Sequence, residues 1–345
     1  MIGWYVHHQG RGHLHRAQTV AAVLHARSGV EVTGLSTLAQ PADWPGPWVQ
    51  LPPDDAHPGD PGDPTAGGAL HWVPLGNPGI ADRAAALSAW LAREQPALVV
   101  VDVSVEAATL VRLHGVPVVS VVLPGNRTDP AHLLGLRLSS AVVACWPEGL
   151  PGMLPGLPAD VAARVRAVGA VSRVPVVEPV PSDPSPLSRH PERPRVAVLQ
   201  GRGGGALTDL TGAALARLAP GWDWTELGGG GGWVEDPAAV LRTSDVVVAN
   251  AGQNSLAEIA SCRTPAVIVA AERPHAEQAT TARVLAASGL PAVVVDRLPH
   301  DDWSGLLEEA RRLDGAGWSR WSDGRGAERF AAVVEETLDA GQDAR

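Results

Sequence analysis

Lysine is absent from this 345-residue sequence, so the 27 basic side chains other than histidine are all arginines. Phenylalanine and tyrosine occur once each, beside 12 tryptophans. Together with abundant alanine, glycine, proline and arginine, this composition indicates a GC-rich coding bias. A single tryptophan is therefore weak evidence for a surface on which bases stack.

Cysteine is also scarce, with only Cys145 and Cys262 present. This excludes a disulfide framework and suits a reducing compartment. No charged leader precedes an apolar block, so we expect no signal peptide. Apolar stretches such as "ALVVVDVSV" have the length of a strand and contain a charge, and none could span a bilayer. We therefore expect a cytoplasmic protein, with peripheral membrane association left open.

The charge balance is acidic, with a formal net charge of −10. Neither half of the chain has a basic surplus, which argues against general nucleic-acid binding. A phosphate group would have to be bound locally, by backbone N–H groups and the amino ends of helices. The length suits two domains, and 45% hydrophobic residues suffice for a core in each.

Apolar runs of strand length alternate with helical patterns in two successive halves. This alternation predicts an α/β fold with two doubly wound, Rossmann-like parallel-sheet domains that face each other across a cleft. We expect an N-terminal domain over 1–170, a proline-rich linker over 171–194 and a C-terminal domain over 195–345. A final helix over 325–340 is expected to pack back on the first domain. Residues 41–69, dense in Pro, Gly and Asp, predict a long loop.

The first candidate site lies between the first strand and the first helix. Gly10 and Gly12 allow a tight turn and the close approach of a ligand, and His13 then stands where it could act as a general base. Asp102 ends the buried run "ALVVVD", and its carboxylate could accept a hydrogen bond from His13 and fix its tautomer. The alternatives are a plain turn with a surface histidine, Asp102 as a helix N-cap, and a metal site. That metal site would use His7, His8, His13 and His15.

A second glycine loop follows the apolar run "RVAVLQ". Residues Gly201 to Ala206, above all Gly203 and Gly204, could cradle a diphosphate with backbone N–H groups at the amino end of a helix. The loop also fits the dinucleotide fingerprint G-x-G-x-x-A, with Glu226 about 20 residues further on. An NAD-dependent oxidoreductase and a plain turn are therefore alternatives.

The most informative stretch covers residues 245–285. A strand ends there at Asn250, and a turn leads into a helix whose first residues are small and polar, as phosphate binding requires. These residues are Gly252, Gln253, Asn254 and Ser255. Glu258 lies along the same helix face, where it could accept both hydroxyls of a ribose, although Ser255 and Glu258 also match a capping box. The loop after the next strand supplies polar side chains suited to sugar hydroxyls, namely His275, Glu277 and Gln278.

This stretch resembles the "HCGWNS…E…DQ" box of natural-product glycosyltransferases of the GT-B fold. The matching residues are Asn250 to Ser255, Glu258 and Glu277–Gln278. It is also similar to the donor-binding segment of the transferases that add N-acetylglucosamine to the lipid-linked peptidoglycan precursor. The resemblance covers much of residues 195–290, plus residues 3–25. The family's box usually opens with His or Arg, so Asn250 implies the loss of one cationic phosphate contact.

The resemblance implies a role for individual residues, with the acceptor bound by the first domain and the donor by the second. The diphosphate would contact Gly203, Gly204, Gly252, Asn254 and Ser255, with Gln253 in the same turn. The ribose would contact Glu258, the sugar Gln278 and Glu277, and the base the backbone of Val234. His13 matches the base of the family's G-x-G-H motif, and Asp102 resembles the acid that pairs with it in the natural-product branch.

The sequence as a whole predicts an enzyme, a glycosyltransferase of the hexosyl type. It would move a sugar from a nucleoside-diphosphate donor, UDP-linked, to an acceptor hydroxyl, without a metal ion and without a cofactor beyond that co-substrate. The acceptor is a small molecule or a lipid-linked one, and Trp44, Trp48 and Trp72 are candidates for contacting it. A nucleotide-sugar hydrolase of the same fold and a non-catalytic nucleotide-sugar sensor are alternatives.

Overall fold

The computed structural model of the protein describes residues 1–55, 62–176, 193–201, 212–229, 232, 234, 236–296 and 303–343. The chain forms two compact units. The first comprises Met1–Cys145, Gly156–Val168 and the chain from Ala327 onward, and the second comprises Trp146–Pro155 and Gly169–Gly326. Each unit contains its own parallel sheet, which confirms the α/β class expected from the sequence.

The elements follow one another as alternating strands and helices. The strands are β1 (Ile2–Tyr5), β2 (Val32–Ser36), β3 (Trp48–Gln50), β4 (Val99–Asp102), β5 (Val118–Val122), β6 (Ala141–Ala144), β7 (Val165–Ala167), β8 (Arg195–Leu199), β9 (Asp223–Leu227), β10 (Val246–Asn250), β11 (Ala266–Val269) and β12 (Ala292–Val295). The helices are α1 (Gly12–Ser28), α2 (Pro78–Glu94), α3 (Val105–Leu113), α4 (Pro130–Leu138), α5 (Ala159–Ala162), α6 (Gly212–Leu218), α7 (Ala238–Thr243), α8 (Gln253–Cys262), α9 (Glu277–Ser288), α10 (Trp303–Arg311) and α11 (Gly326–Asp343).

The sheet of the first unit has the order β3-β2-β1-β4-β5-β6-β7. Its central strands are runs of valine and other apolar residues that are buried on both faces, as a parallel sheet covered by helices requires. The strand order reverses between β1 and β4, which pair in parallel from Gly3 opposite Val99. Their carboxyl ends therefore meet at the position where doubly wound sheets bind ligands.

The last helix, α11, belongs to the first unit although it follows the second unit in sequence. Phe330 of α11 and Trp4 of β1 are both fully buried, with ring centroids 5.3 Å apart. Arg329 donates to the backbone oxygen of Val168 across 2.7 Å. The helix thus completes the core of a unit whose first strand opens the chain.

The expectation of a loop throughout residues 41–69 is wrong in its first part. Residues Trp48–Gln50 form β3, which pairs in parallel with Gly34–Ser36. A Cβ on Gly34 would lie 2.1 Å from the Trp48 ring, so the missing side chain makes room for that indole. Trp44 is buried, and its indole N–H donates to the backbone oxygen of Val32 across 3.0 Å, so it is not available to an acceptor.

The second unit has a sheet of order β12-β11-β10-β8-β9, again parallel throughout. Here the order reverses between β8 and β10, so Gln200, which follows β8, and the polar turn after β10 leave the sheet at the same edge. Within the described residues, none of the helices has the length and apolarity needed to cross a bilayer.

Candidate functional site

His13 and Asp102 are in contact in the first unit. The Nδ1 atom of His13 lies 3.0 Å from Oδ1 of Asp102. His13 lies in the first turn of α1, which begins at Gly12, and Asp102 is the last residue of β4. Because β1 and β4 are adjacent, the turn after β1 carries the imidazole to the end of its neighbour. The distance suits an Nδ1–H donor to the carboxylate, which would leave Nε2 with a free lone pair.

Asp102 serves this contact and not a helix cap, since Ser104 caps α3 by accepting from the backbone N–H of Ala107. The Asp102 side chain is fully buried. Burial alone would raise the pKa of this carboxyl, but the charges and hydrogen bonds of Arg16 and His13 lower it to about 2. The carboxylate is therefore ionised over the whole physiological range.

Arg16, one helical turn beyond His13, contacts both members of the pair. Its Nη2 lies 2.8 Å from Oδ1 and 2.9 Å from Oδ2 of Asp102, and 3.0 Å from Nδ1 of His13. The sequence prediction missed this arginine. Its spacing from His13 placed it on the same helix face, but only the fold brings Asp102 to that face.

The other histidines of the opening segment have different surroundings. The ring of His7 lies 5.4 Å from that of His13, and its burial, with His13 and His8 nearby, lowers its pKa to about 3. Nε2 of His8 lies 3.4 Å from Asp54 and 3.8 Å from Asp55. Of the four histidines considered as a metal site, His13 thus contacts Asp102, whereas His8 faces Asp54 and Asp55.

In the second unit, the turn after β10 forms the amino end of α8. Gly252 is the N-cap residue, with φ −76° and ψ 139°, and as a glycine it has no side chain with which to cap the helix. The N–H groups of its first turn therefore have no partner within the helix. Asn250, just before the turn, is buried, and its Oδ1 has no hydrogen-bond partner among the described residues. Polar groups thus converge at this strand end, as the sequence predicts.

The loop after β11 brings Gln278 to the same turn. Oε1 of Gln278 accepts from the backbone N–H of Ala271 across 2.9 Å. Its Nε2 lies 3.7 Å from the place a Cβ on Gly252 would occupy, so the amide faces the space left by that glycine. Glu277 is half-buried one residue earlier, whereas His275 is exposed with φ 58°.

Glu258 is buried in α8 and is paired with Arg173 of the same unit. Nε of Arg173 lies 2.7 Å from Oε1 of Glu258. Burial raises the pKa of the Glu258 carboxyl, and the positive charge of Arg173 opposes this effect. Since α8 begins at Gln253, Ser255 lies inside the helix and is not its N-cap, so the capping-box reading does not apply. Arg173 was also missed, because the surrounding "VSRVPVV" shows no periodicity that points to a site.

The glycine segment after β9 packs against the end of β8. Gly228 and Gly229 have φ 83° and 53°. Cβ atoms there would lie 2.2 Å from the Gln200 backbone oxygen and 2.0 Å from its side-chain oxygen. Position 228 therefore requires glycine because its neighbour is backbone, whereas at Gly229 it is the positive φ that favours glycine. Val234 is half-buried beyond this segment. Gly203 and Gly204, the predicted diphosphate contacts, lie outside the described residues, as does most of the fingerprint that suggested NAD.

The known proteins that resemble this chain are glycosyltransferases. No protein-family model matches the chain. An uncharacterized glycosyltransferase of Methanopyrus kandleri is 35% identical over 112 residues, which is 31% of each protein. The chain thus aligns with about a third of the length of this curated relative.

Similar solved structures cover nearly the whole chain. MurG of Acinetobacter baumannii covers 97% of it at 15% identity with a TM-score of 0.59, and the match takes in 99% of MurG. The calicheamicin glycosyltransferase CalG4 covers 98% at 17% identity with a TM-score of 0.62, over 98% of its own chain. The Streptomyces sp. SF2575 glycosyltransferase SsfS6, solved with thymidine diphosphate, covers 97% at 16% identity with a TM-score of 0.61, over 99% of its own chain.

These likenesses establish the fold. The chain shares with GT-B glycosyltransferases the architecture of two parallel-sheet α/β units, and this confirms the resemblance stated from the sequence.

Proposed function

We propose that this protein is a glycosyltransferase that moves a sugar from a nucleoside-diphosphate donor to an acceptor hydroxyl. The observation that carries the proposal is the contact between His13 and an ionised, fully buried Asp102 at the switch point of the first sheet. A histidine held by a carboxylate is an arrangement suited to general-base catalysis. The fold shared with known glycosyltransferases supports the same conclusion.

The donor is assigned to the second unit. The open amino end of α8, with Gly252 to Ser255, would bind the diphosphate through backbone N–H groups and the helix dipole. Glu258 would accept hydrogen bonds from the ribose hydroxyls, and Gln278 with Glu277 would contact the sugar. The base would meet the backbone of Val234. We assign the donor as a UDP-sugar.

The acceptor hydroxyl is assigned to the first unit. His13 would take its proton at Nε2 as the oxygen attacks the anomeric carbon, while Asp102 holds the ring in the required tautomer. As the bond to the sugar breaks, negative charge develops on the departing diphosphate. Fixed N–H donors at the helix end would stabilise this charge, so the proposed reaction uses no metal ion.

Calorimetric titration of the free protein with UDP, thymidine diphosphate and NAD⁺ tests the donor assignment. We expect binding of a nucleoside diphosphate, UDP in particular, and none of NAD⁺. Retention of NAD⁺ alone would instead favour the oxidoreductase reading of Gly201 to Ala206.

Incubation with a panel of UDP-sugars, with and without simple alcohol and phenol acceptors, tests the reaction. With an acceptor present, mass spectrometry should detect the glycosylated acceptor. Without an acceptor, it should detect little free sugar. Rapid release of free sugar, unaffected by acceptor, would identify a hydrolase. Binding without any turnover would identify a sensor.

A further inference from the structure

Arg16 has no role in the sugar-transfer scheme, yet it contacts both His13 and Asp102. The residue is 3% exposed. Besides the contacts of Nη2, its Nε lies 3.2 Å from Oδ2 of Asp102, so the guanidinium spans both carboxylate oxygens. The same Nη2 lies 3.0 Å from Nδ1 of His13, which does not accept from it while the Nδ1–H donates to Asp102. A buried arginine, a buried carboxylate and a partly buried imidazole therefore share one cluster.

The charge of this cluster determines where protons can reside. A fully buried carboxylate beside a neutral imidazole is costly, because burial disfavours its charged form. Without a cation, the pair would take up a proton, either on Asp102 or on the His13 ring, and would titrate as a unit. Arg16 supplies the positive charge that this proton would otherwise bring. With Arg16 present, a further proton would leave a net positive charge in a buried site.

Among the described residues, two further groups beside the pair are neutral. His7, after β1, is neutral because burial, with His13 and His8 nearby, lowers its pKa to about 3. Cys145, after β6, is a neutral thiol because burial raises its pKa to about 11 despite Arg16. His8 stacks on His7 at 5.2 Å and faces Asp54.

We infer that Arg16 is a positioning residue that keeps the His13–Asp102 pair free of a bound proton near neutral pH. The imidazole is then able to accept the proton of an acceptor hydroxyl. This catalytic consequence rests on the proposed function. The protonation state itself is a property of the free protein, and it can be measured without any substrate.

Nuclear magnetic resonance of protein labelled with ¹³C and ¹⁵N in histidine and aspartate tests the inference directly. His13→Gln and Asp102→Asn assign the two signals. At pH 7 the wild type should show a neutral His13 ring and an ionised Asp102. In the Arg16→Met variant, the His13–Asp102 pair should carry one bound proton at that pH. In the Arg16→Lys variant, which keeps the positive charge, the pair should carry none. Arg311→Met, which removes another buried arginine 3.9 Å from Asp245 in the second unit, should leave the pair unchanged.

Kinetics separates a positioning role from a structural one. In Arg16→Met, kcat/KM should be reduced at pH 7 and recover as the pH is raised, about tenfold per pH unit along the acid limb. Arg16→Lys should keep the wild-type profile. An equal loss at every pH would indicate a structural role and overturn the inference.

The wild-type spectrum alone is sufficient to refute the inference, even if Arg16→Met does not fold. A proton on the wild-type pair at pH 7 would overturn it, as would an unchanged pair in Arg16→Met. Absence of sugar transfer by the wild type, with the expected spectra, would count against the proposed function and leave the role of Arg16 supported.

Discussion

Arg173 donates a hydrogen bond to Glu258 across 2.7 Å, and both residues belong to the second unit. Arg173 lies in the segment that follows β7, and Glu258 lies in α8. The arginine thus compensates a buried carboxylate that would otherwise be destabilised by its own charge. A carboxylate held in this way is oriented before any ligand arrives, which would favour the hydrogen bonds to a ribose that we propose for Glu258.

Replacement of Glu258 by glutamine should weaken UDP binding. A hydrogen bond to a charged group contributes about 1.5–3 kcal/mol, which corresponds to roughly a 10- to 150-fold rise in Kd. Calorimetry with UDP measures the change. Glu309→Gln, at an exposed position of α10, is the control and should bind UDP as the wild type does. Equal affinity in both variants would remove Glu258 from the donor site.

Replacement of Arg173 by methionine should destabilise the second unit. The change leaves the Glu258 charge buried without its cation, and loss of one partner of a buried pair costs about 3 kcal/mol. The double variant Arg173→Met with Glu258→Gln should recover part of this loss, because no charge remains to be compensated. Urea unfolding of the four proteins gives the coupling energy. Additive effects of the two changes would show that the pair is not coupled.

Replacement of His13 by alanine should reduce turnover by roughly 10²–10⁴-fold, the usual contribution of a general base. UDP affinity should be unchanged, because His13 lies in the first unit and the donor is assigned to the second. Steady-state kinetics and calorimetry measure the two quantities. The control is His114→Ala, an exposed histidine after α3 that should keep full activity. Full activity in the His13 variant would exclude it from the reaction.

The contribution of Asp102 to stability should depend on pH. Its pKa is about 2 in the folded protein, below the value of about 3.9 for an unfolded aspartate. The ionised group therefore stabilises the fold above about pH 4, and this contribution is lost as the pH falls toward 2. The difference in unfolding free energy between the wild type and Asp102→Asn should accordingly shrink over that interval. Urea titrations at a series of pH values measure it, and a constant difference would contradict the assigned charge state.

Replacement of Phe330 by alanine should destabilise the first unit by about 3–5 kcal/mol, the usual cost of removing a buried aromatic ring. Hydrogen exchange of the β1 amides reports on that unit specifically. Leu134→Ala is the control, since that side chain of α4 is 43% exposed and should change stability by no more than about 0.5 kcal/mol. Unchanged protection of β1 in the Phe330 variant would mean that α11 contributes little.

The sequence was sufficient to predict both strand ends that carry polar groups. Asp102 and Asn250 each end a valine-rich run, and parallel strands direct such residues to one edge. The sequence did not predict two other kinds of feature, namely a short strand and two long-range ion pairs. The strand Trp48–Gln50 is too short to show alternation among its prolines. Arg16 and Arg173 act through partners 86 and 85 residues away, and a long-range ion pair leaves no local periodicity to detect.

The path of the chain through its two units restricts how related proteins can exchange parts. The first unit is assembled from three separate stretches, and the last of them supplies Phe330 to the opening strand. These three stretches alternate with two stretches of the second unit, so a hybrid that joins the first unit of one relative to the second unit of another needs several crossovers, including one just before the closing helix. A single crossover would pair an opening strand with a foreign closing helix, so recombination of the two units at one junction should yield poorly folded chimaeras.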